Sequence, residues 1–287
     1  MSQYYKTDRK PDWNYGGPRW RLSRSKIDLF KQCPRCFYID NKLGTARPPG
    51  FPFNLNSAVD ALLKKEFDIH RVAQTQHPLC RENNLDVVPY QHPKMDIWRE
   101  NFKGVEAKHA PTGFTVSGAI DDLWVDANGT VIVVDYKATA KDGEVSLDAD
   151  WQISYKRQME IYQWLLRQNG LSVSNTGYFV YANGRTDIDA FDGKLEFDIT
   201  LLSYTGDDSW VEGVLQEIKE TLESEELPPV GEDCDYCPYR TVVGKKLQAR
   251  YGSAVQKQVA ADTASPNTPI KKESKKAPQS GQDSLFT

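Results

Sequence analysis

Apolar and polar residues alternate most clearly over residues 118–137, where two runs rich in Val, Ile and Trp flank Asn128 and Gly129. An Asn-Gly pair between two half-buried runs is a strong signal for the turn of a β-hairpin. Because side chains alternate between the two faces of a strand, Asp135 and Lys137 are expected to share one face of the second strand. The pattern therefore predicts a hairpin that brings a carboxylate and an ammonium group to one place.

Other parts of the chain carry the spacing of helices and strands. Helices are expected over residues 56–67, 152–168 and 211–224, and further strands over residues 177–182 and 194–202. Ser25 is a suitable N-cap for a short helix that runs through Phe30. On the helix at 152–168, Gln158 and Tyr162 are four residues apart and are expected to lie on one face.

The hairpin has the residue types of a divalent-metal site. Asp121 and Asp135 would supply carboxylate oxygens and Tyr136 a backbone carbonyl, which are ligands that a hard cation such as Mg²⁺ prefers. Such a metal lowers the pKa of a bound water and stabilises negative charge on a phosphate under attack. Lys137 would orient that water or neutralise the developing charge. The alternative is an exposed hairpin with a solvated Asp-Lys pair, which would contribute little to stability.

These features occur in an order that resembles the PD-(D/E)XK nuclease superfamily, in particular its RecB-like branch. The resemblance rests on Ser23-Arg-Ser25 with Cys33-Pro34, on G-x-I-D at 118–121, on D-x-K at 135–137 and on Q-x-x-x-Y at 158–162, within roughly residues 20–240. It implies an α/β restriction-endonuclease-like core, with a mixed central sheet flanked by helices. It also implies a Mg²⁺- or Mn²⁺-dependent DNA nuclease, in which Gln158 and Tyr162 contact the substrate strand.

By the same resemblance, the expected activity is that of an exonuclease on single-stranded ends or flaps, in DNA repair, recombination or replication. One position departs from the family pattern. RecB-like enzymes usually carry a metal-binding histidine on an early helix, whereas this chain has Asp60 there. A carboxylate can bind Mg²⁺ or Mn²⁺ at least as well as an imidazole, so Asp60 is a candidate metal ligand. The alternatives are a noncatalytic DNA-binding or sliding-clamp adaptor module with a degenerate site, or an RNA-processing nuclease.

Two C-x-x-C pairs lie near opposite ends of this region, namely Cys33 with Cys36 and Cys234 with Cys237. Four thiolates brought together would form a closed Zn²⁺ site or hold an iron-sulfur cluster that staples the domain. The resemblance favours a [4Fe-4S] cluster, although RecB-like relatives with this cluster supply one N-terminal and three C-terminal cysteines rather than two and two. Zn²⁺ remains the alternative. Cys80 has no sequence partner and is expected to be a small buried apolar residue.

Composition adds limits on class and location. The 287 residues carry a net charge of −4, so the chain lacks the overall basicity of a nonspecific nucleic-acid coat. A local basic groove can still attract DNA. No apolar run approaches the length of a membrane span and no signal peptide opens the chain, so the expected location is the cytoplasm, without membrane association.

The domain organisation predicted from composition has three parts. Residues 1–20 are expected to be an irregular arm, residues 21–250 the nuclease domain, and residues 251–287 a largely disordered tail, because apolar residues are scarce there. The tail ends in a segment that resembles the motif by which bacterial DNA polymerases and repair proteins bind the sliding clamp. Its candidate contacts are Gln282, Leu285 and Phe286.

Overall fold

A computed structural model describes residues 9–50 and 53–252. The chain divides into two compact units, Met1–Tyr236 and Cys237–Thr287. The predicted disordered tail from residue 253 onward, with its candidate clamp contacts at Gln282, Leu285 and Phe286, lies outside the described residues. The predicted limits of the nuclease domain, 21–250, stay a prediction.

Strands of the first unit form two mixed sheets. In chain order the strands are β1 (Leu22–Ser23), β2 (Val87–Pro89), β3 (Val105–His109), β4 (Phe114–Gly118), β5 (Asp122–Asp126), β6 (Val131–Thr139), β7 (Thr176–Gly184) and β8 (Phe197–Thr205). The larger sheet has the order β2-β5-β6-β7-β8, and the smaller has the order β1-β4-β3. In the larger sheet only β6 and β7 run parallel, and in the smaller only β1 and β4 do.

The helices of the described residues are α1 (Arg24–Gln32), α2 (Pro34–Asn41), α3 (Asn54–Ala73), α4 (Pro78–Glu82), α5 (Met95–Arg99), α6 (Ile153–Gln168), α7 (Trp210–Glu223) and α8 (Tyr236–Tyr251). Short 3-10 turns cover Pro11–Trp13 and Asp150–Gln152. The predicted α/β class, with mixed sheets flanked by helices, is confirmed.

The predicted hairpin is the β5–β6 pair, in antiparallel register. Its turn is held by Asp126, whose Oδ1 accepts hydrogen bonds from the backbone N–H of Asn128 at 2.9 Å and of Thr130 at 2.8 Å. Gly129 has a φ of +81°, in the left-handed region that glycine adopts at no steric cost. The Asn-Gly signal in the sequence therefore marks the turn correctly.

Helix α6 lies in the main hydrophobic core, where Met159, Ile161 and Leu165 are fully buried. A close approach fixes this helix against β4. A Cβ atom on Gly118 would lie 2.7 Å from Cε1 of the Tyr162 ring, nearer than side-chain carbons approach one another. Glycine at the first position of G-x-I-D is thus what allows Tyr162 to pack beside this strand.

Helix α3 packs on the other side of the hairpin through Leu63, Phe67 and Arg71, which are spaced four residues apart. Phe67 stacks on Trp124 of β5, with ring centroids 5.5 Å apart. Residues of α3, β2, β5 and β6 form a second hydrophobic cluster, which also contains the buried Cys80. The hairpin is therefore held on one side by α6 and on the other by α3.

Several sequence predictions differ from the structure at element ends. The N-cap of α1 is Ser23, not Ser25, because Ser23 Oγ accepts the backbone N–H of Lys26 at 3.4 Å. The last strand begins at Phe197 rather than at residue 194. Helix α3 extends beyond its predicted limits at both ends.

The described part of the second unit is formed by α8, in which Thr241 Oγ1 donates a hydrogen bond to the Cys237 carbonyl at 2.9 Å. Within the residues that the structure covers, we find no helix that is both long enough and apolar enough to cross a membrane.

Candidate active site

The hairpin and α6 bring five of the predicted site residues together. Asp121 directly precedes β5, and Asp135 and Lys137 lie in β6. Gln158 of α6 donates a hydrogen bond from Nε2 to Asp135 Oδ1 at 2.6 Å and another to the Tyr162 hydroxyl at 3.2 Å. Lys137 Nζ forms an ion pair with Asp135 and donates to Gln158 Oε1 at 3.4 Å. The D-x-K and Q-x-x-x-Y motifs are thus parts of one hydrogen-bonded cluster.

Helix α3 adds Asp60 to the same place. Lys64, one turn further along α3, donates hydrogen bonds to Asp60 Oδ2 at 2.9 Å and to Asp121 Oδ1 at 3.0 Å. Asp60, Asp121, Tyr136 and Lys137 line one open cavity of about 400 Å³. The backbone N–H of Tyr136 donates to Asp121 Oδ2 at 3.1 Å. A substrate can therefore reach the carboxylates from solvent.

Burial and neighbouring charges move the pKa values of the two central carboxyl groups apart. Burial raises the pKa of Asp135 to about 7. The Lys137 ammonium lowers this pKa and only partly offsets the effect of burial, whereas the nearby Asp121 carboxylate raises it further. For Asp121, burial acts in the same direction but is outweighed by the ammonium groups of Lys64 and Lys137, so its pKa is lowered. A buried carboxylate beside a second carboxylate is an environment that a bound cation would stabilise.

The donor set fits a hard divalent cation. Asp60 and Asp121 line one cavity, and the buried Asp135 lies beside Asp121. Oxygen is the ligand atom that Mg²⁺ and Mn²⁺ prefer. Asp135 Oδ2 is buried, and none of the described residues gives it a hydrogen bond of good geometry, although it contacts Lys137. A buried carboxylate oxygen whose lone pairs accept no hydrogen bond of good geometry is suited to metal coordination.

Asp122, next to Asp121, has a different environment. Its side chain is fully buried and forms ion pairs with Arg71 of α3 and with Arg99 of α5, the latter at 2.9 Å. The Tyr136 hydroxyl donates to its other oxygen. Arg99 also donates from Nε to the Asp121 carbonyl at 2.9 Å. Asp122 therefore joins two helices to the hairpin and fixes the backbone at Asp121.

Sequence reasoning missed three residues around the cluster. Lys64 follows Asp60 by four positions, a spacing that could have pointed to it, since residues four apart share a helix face. Tyr155 lies one turn before Gln158 on the same face of α6, and its ring centroid is 4.4 Å from Lys137 Nζ. Arg24, the middle residue of Ser-Arg-Ser, lies beside the Tyr162 hydroxyl. That contact joins segments distant in sequence, and no local pattern predicts it.

The four paired cysteines also come together, as predicted. The sulfur atoms of Cys33, Cys36, Cys234 and Cys237 all lie within 4.8 Å of one another, and the four side chains are buried. The Cys33 sulfur accepts the backbone N–H of Gly231 at 3.3 Å. Such donors outweigh the effect of burial and lower the pKa of Cys33 to about 6, which favours the thiolate that binds metals. This cluster could hold a metal ion.

Cys80 behaves differently from the paired cysteines. It is buried in the second hydrophobic cluster, and burial raises the pKa of its thiol to about 12. A thiol in this state is a small apolar residue and not a metal ligand.

Comparison with known families agrees with the geometry. The family model of the PD-(D/E)XK nuclease superfamily matches residues 56–242, more than half of the chain. The chain belongs to this superfamily. Membership implies a metal-dependent nuclease that acts on nucleic acid, and the matched range contains the hairpin, α6 and Asp60.

Among solved structures, the chain is similar to the crystal structure of SSO0001, with a TM-score of 0.32 and 16% sequence identity. The similarity covers 77% of this chain and 84% of that chain. A search of curated proteins found no match.

Proposed function

We propose that this protein hydrolyses phosphodiester bonds in DNA at the cluster of Asp60, Asp121, Asp135 and Lys137, with Mg²⁺ or Mn²⁺ bound. The observation that carries the proposal is that four groups come together from separate elements. Asp135 and Lys137 lie in β6, Asp121 directly precedes β5, and Gln158 lies in α6. The third carboxylate, from α3, faces the same open cavity.

The residues divide into metal ligands and groups that act on the substrate. Asp60, Asp121 and Asp135 would hold the metal, together with the carbonyl of Tyr136. When bound, the metal lowers the pKa of a water molecule and stabilises charge on the attacked phosphate. Lys137 would position that water and offset the charge that develops on the phosphate oxygens.

Gln158 and Tyr162 would position the substrate strand. Gln158 holds both Asp135 and Lys137 by hydrogen bonds, so its amide fixes the distance between the two. The Tyr155 ring packs against the Lys137 ammonium and limits the directions that this group can take. The site therefore has little freedom to rearrange during the reaction.

Lys64 occupies the position of a cation between Asp60 and Asp121. The substitution Lys64→Met is expected to tighten Mn²⁺ binding by at least about fivefold, since a unit charge 4 Å away contributes roughly 1 kcal/mol even in bulk water. Isothermal titration calorimetry measures this, and the exposed neighbour Lys65→Met is the matched control. Equal or weaker binding by Lys64→Met would show that this ammonium does not compete with the metal.

By resemblance to the RecB-like branch, the proposed mode is exonuclease action on single-stranded ends or flaps, in repair, recombination or replication of DNA. Because Asp60, Asp121 and Asp135 together supply three carboxylates, we favour a catalytic nuclease over the noncatalytic adaptor module. Linear and circular single-stranded DNA, flapped duplex and RNA of the same sequence would be compared with Mg²⁺ or Mn²⁺ present. Cleavage of linear and flapped DNA, with circular DNA intact, is the expected result. Cleavage of circles would exclude an exonuclease, and preference for RNA would favour the RNA-processing alternative.

The four-cysteine cluster is proposed to hold [4Fe-4S], with Zn²⁺ as the alternative, and to staple the fold. Anaerobically purified protein is expected to be brown and to contain iron, because four thiolates are the usual ligands of this cluster. The variant Cys36→Ser should lose the metal and unfold more easily, whereas Cys80→Ala should keep it. Metal analysis that finds zinc in the intact protein would overturn the iron-sulfur assignment, and metal retained by Cys36→Ser would overturn the site itself.

The end of the chain is proposed to bind a sliding clamp through Gln282, Leu285 and Phe286. A short anchor of this kind, on a tether, would raise the effective concentration of the nuclease at its substrate.

A further inference from the structure

The molecule has a second groove, formed by the segment before α1 together with Phe102. We call it the N-terminal groove and define it by the residues that line it, which include Arg9, Trp13, Arg19, Arg21, Lys26 and Phe102. Its volume is about 760 Å³. Backbone hydrogen bonds hold the segment in place, from Arg9 N–H to the Gly44 carbonyl at 2.9 Å and from Tyr15 N–H to the Asn41 carbonyl at 2.7 Å.

The N-terminal groove is linked to the carboxylate cluster through a neighbouring pocket and the side chains of Tyr162 and Gln158. Ser23, Phe102 and Ser117 line both this groove and a neighbouring pocket of about 280 Å³. Arg24 and Tyr162 also line that pocket. Tyr162 is hydrogen-bonded to Gln158, which is hydrogen-bonded to Asp135. The groove therefore lies on the side of the cluster where Tyr162 and Gln158 stand.

The charge of the groove is positive. Arg9 is paired with Asp40 and Arg21 with Glu106. In the part of the chain that the structure describes, Arg19 and Lys26 have no carboxylate within ion-pair distance, and no acidic side chain lines the groove. Burial, with a smaller contribution from the Arg9 charge, lowers the pKa of Lys26 to about 7. Arg19, which is exposed, and Lys26, which is half-buried, thus have no anion of their own among the described residues and are suited to the phosphates of a ligand.

Phe102 supplies an aromatic surface at the place where the two cavities meet. Its side chain is fully exposed to solvent, and its φ is +73°, a region that non-glycine residues rarely adopt. The exposed ring therefore buries no apolar surface in this structure. Trp13, half exposed in the same groove, is a second ring, and the Arg19 guanidinium carbon lies 5.6 Å from its centroid. Exposed rings between cations are the means by which proteins stack the bases of single strands.

Another pocket beside the site has a different character. A pocket of about 280 Å³ adjoins the catalytic cavity and shares Phe53, Asn56, Val59 and Ala138 with it. The described residues that line this pocket carry no charge. Of the N-terminal groove and this pocket, only the groove is lined by cationic side chains among the described residues.

We infer that the N-terminal groove holds single-stranded DNA on one side of the cleavage site, with phosphates on Arg19 and Lys26 and a base stacked on Phe102. The inference rests on the proposed nuclease function and specifies its substrate as an unpaired strand, because both faces of a base inside a duplex are already covered by its neighbours. It also assigns a direction, since the strand that remains bound after cleavage lies in the groove and the short product leaves from the uncharged side.

The test is the binding of fluorescein-labelled oligothymidine, followed by fluorescence anisotropy with EDTA present so that no cleavage occurs. Phe102→Asn is the first variant, since asparagine tolerates a positive φ. We expect about tenfold weaker binding, within the range known for the loss of one stacked base. The matched control is Phe191→Asn, an exposed ring outside the groove, which should bind like the intact protein.

The second variant carries Arg19→Gln and Lys26→Gln. At pH 6, where Lys26 is charged, the dependence of log affinity on log salt concentration should become less steep by about 1.4, because each phosphate contact in a single strand contributes about 0.7. The matched control is Lys65→Gln with Lys194→Gln, both exposed outside the groove. Unchanged affinity and unchanged slope in the groove variants would overturn the inference. An equal loss with blunt duplex DNA would overturn its single-strand part, and tighter binding of RNA would overturn the choice of DNA.

Cleavage assays on the same proteins separate this inference from the proposed function. If the intact protein cleaves DNA and the groove variants bind normally, the groove assignment fails and the nuclease stands. If the groove variants lose binding and the intact protein cleaves no nucleic acid, the nuclease proposal fails and the groove stands.

Discussion

The substitution Lys137→Met is expected to lower the rate of DNA cleavage by at least about 100-fold, the effect seen when one preorganised donor to a developing charge is removed. The Lys137 ammonium contacts Asp135, donates to Gln158 and lies over the Tyr155 ring, so its position is fixed before a substrate arrives. Methionine has a similar length and keeps the packing against that ring. The loss should therefore appear in the chemical step and not in folding.

Single-turnover cleavage of labelled DNA with saturating Mg²⁺ measures this effect. Lys141→Met is the matched control, because Lys141 is an exposed lysine just beyond the end of the same strand. It should cleave within about twofold of the intact protein, as expected for a surface change outside the site. Wild-type rates in Lys137→Met would remove this residue from the mechanism.

The substitution Asp122→Ala is expected to reduce the free energy of unfolding by about 3–5 kcal/mol, the usual cost of leaving buried charges unpaired. Arg71 and Arg99, both largely buried, would lose their shared carboxylate, and the Tyr136 hydroxyl would lose its acceptor. The contacts that join α3 and α5 to the hairpin would weaken together. Metal binding by the adjacent Asp121 should weaken as well, since Arg99 also holds its carbonyl.

Urea unfolding followed by tryptophan fluorescence measures the change. Asp189→Ala removes an exposed carboxylate from a loop and should alter the free energy of unfolding by no more than about 0.5 kcal/mol. A similarly small effect for Asp122→Ala would contradict the role given to this ion-pair network.

The local parts of the site could be predicted from the sequence. Strand alternation placed Asp135 and Lys137 on one face, and the four-residue spacing of Gln158 and Tyr162 placed these two on one side of α6. Both pairs depend only on the geometry of single elements. The Asn-Gly pair predicted the turn for the same reason.

Contacts between distant segments could not be predicted in this way. The resemblance at G-x-I-D selects Asp121, which faces the cavity, but no sequence pattern predicts that Asp122 joins Arg71 and Arg99. The two differ because adjacent residues of a strand point in opposite directions, and the identity of each face depends on how α3 packs. Likewise, the approach of Gly118 to Tyr162 and the N-terminal groove arise only when β4, α1 and α6 are assembled.

The central claim is that these carboxylates hold a divalent metal and cut a phosphodiester backbone. The most direct test compares the intact protein and Asp135→Asn on end-labelled single-stranded DNA, with Mg²⁺ and with EDTA, and uses Asp189→Asn as the matched control. The account predicts cleavage by the intact protein and by the control only with Mg²⁺ present, and none by Asp135→Asn. Cleavage that survives in Asp135→Asn or in EDTA would contradict it.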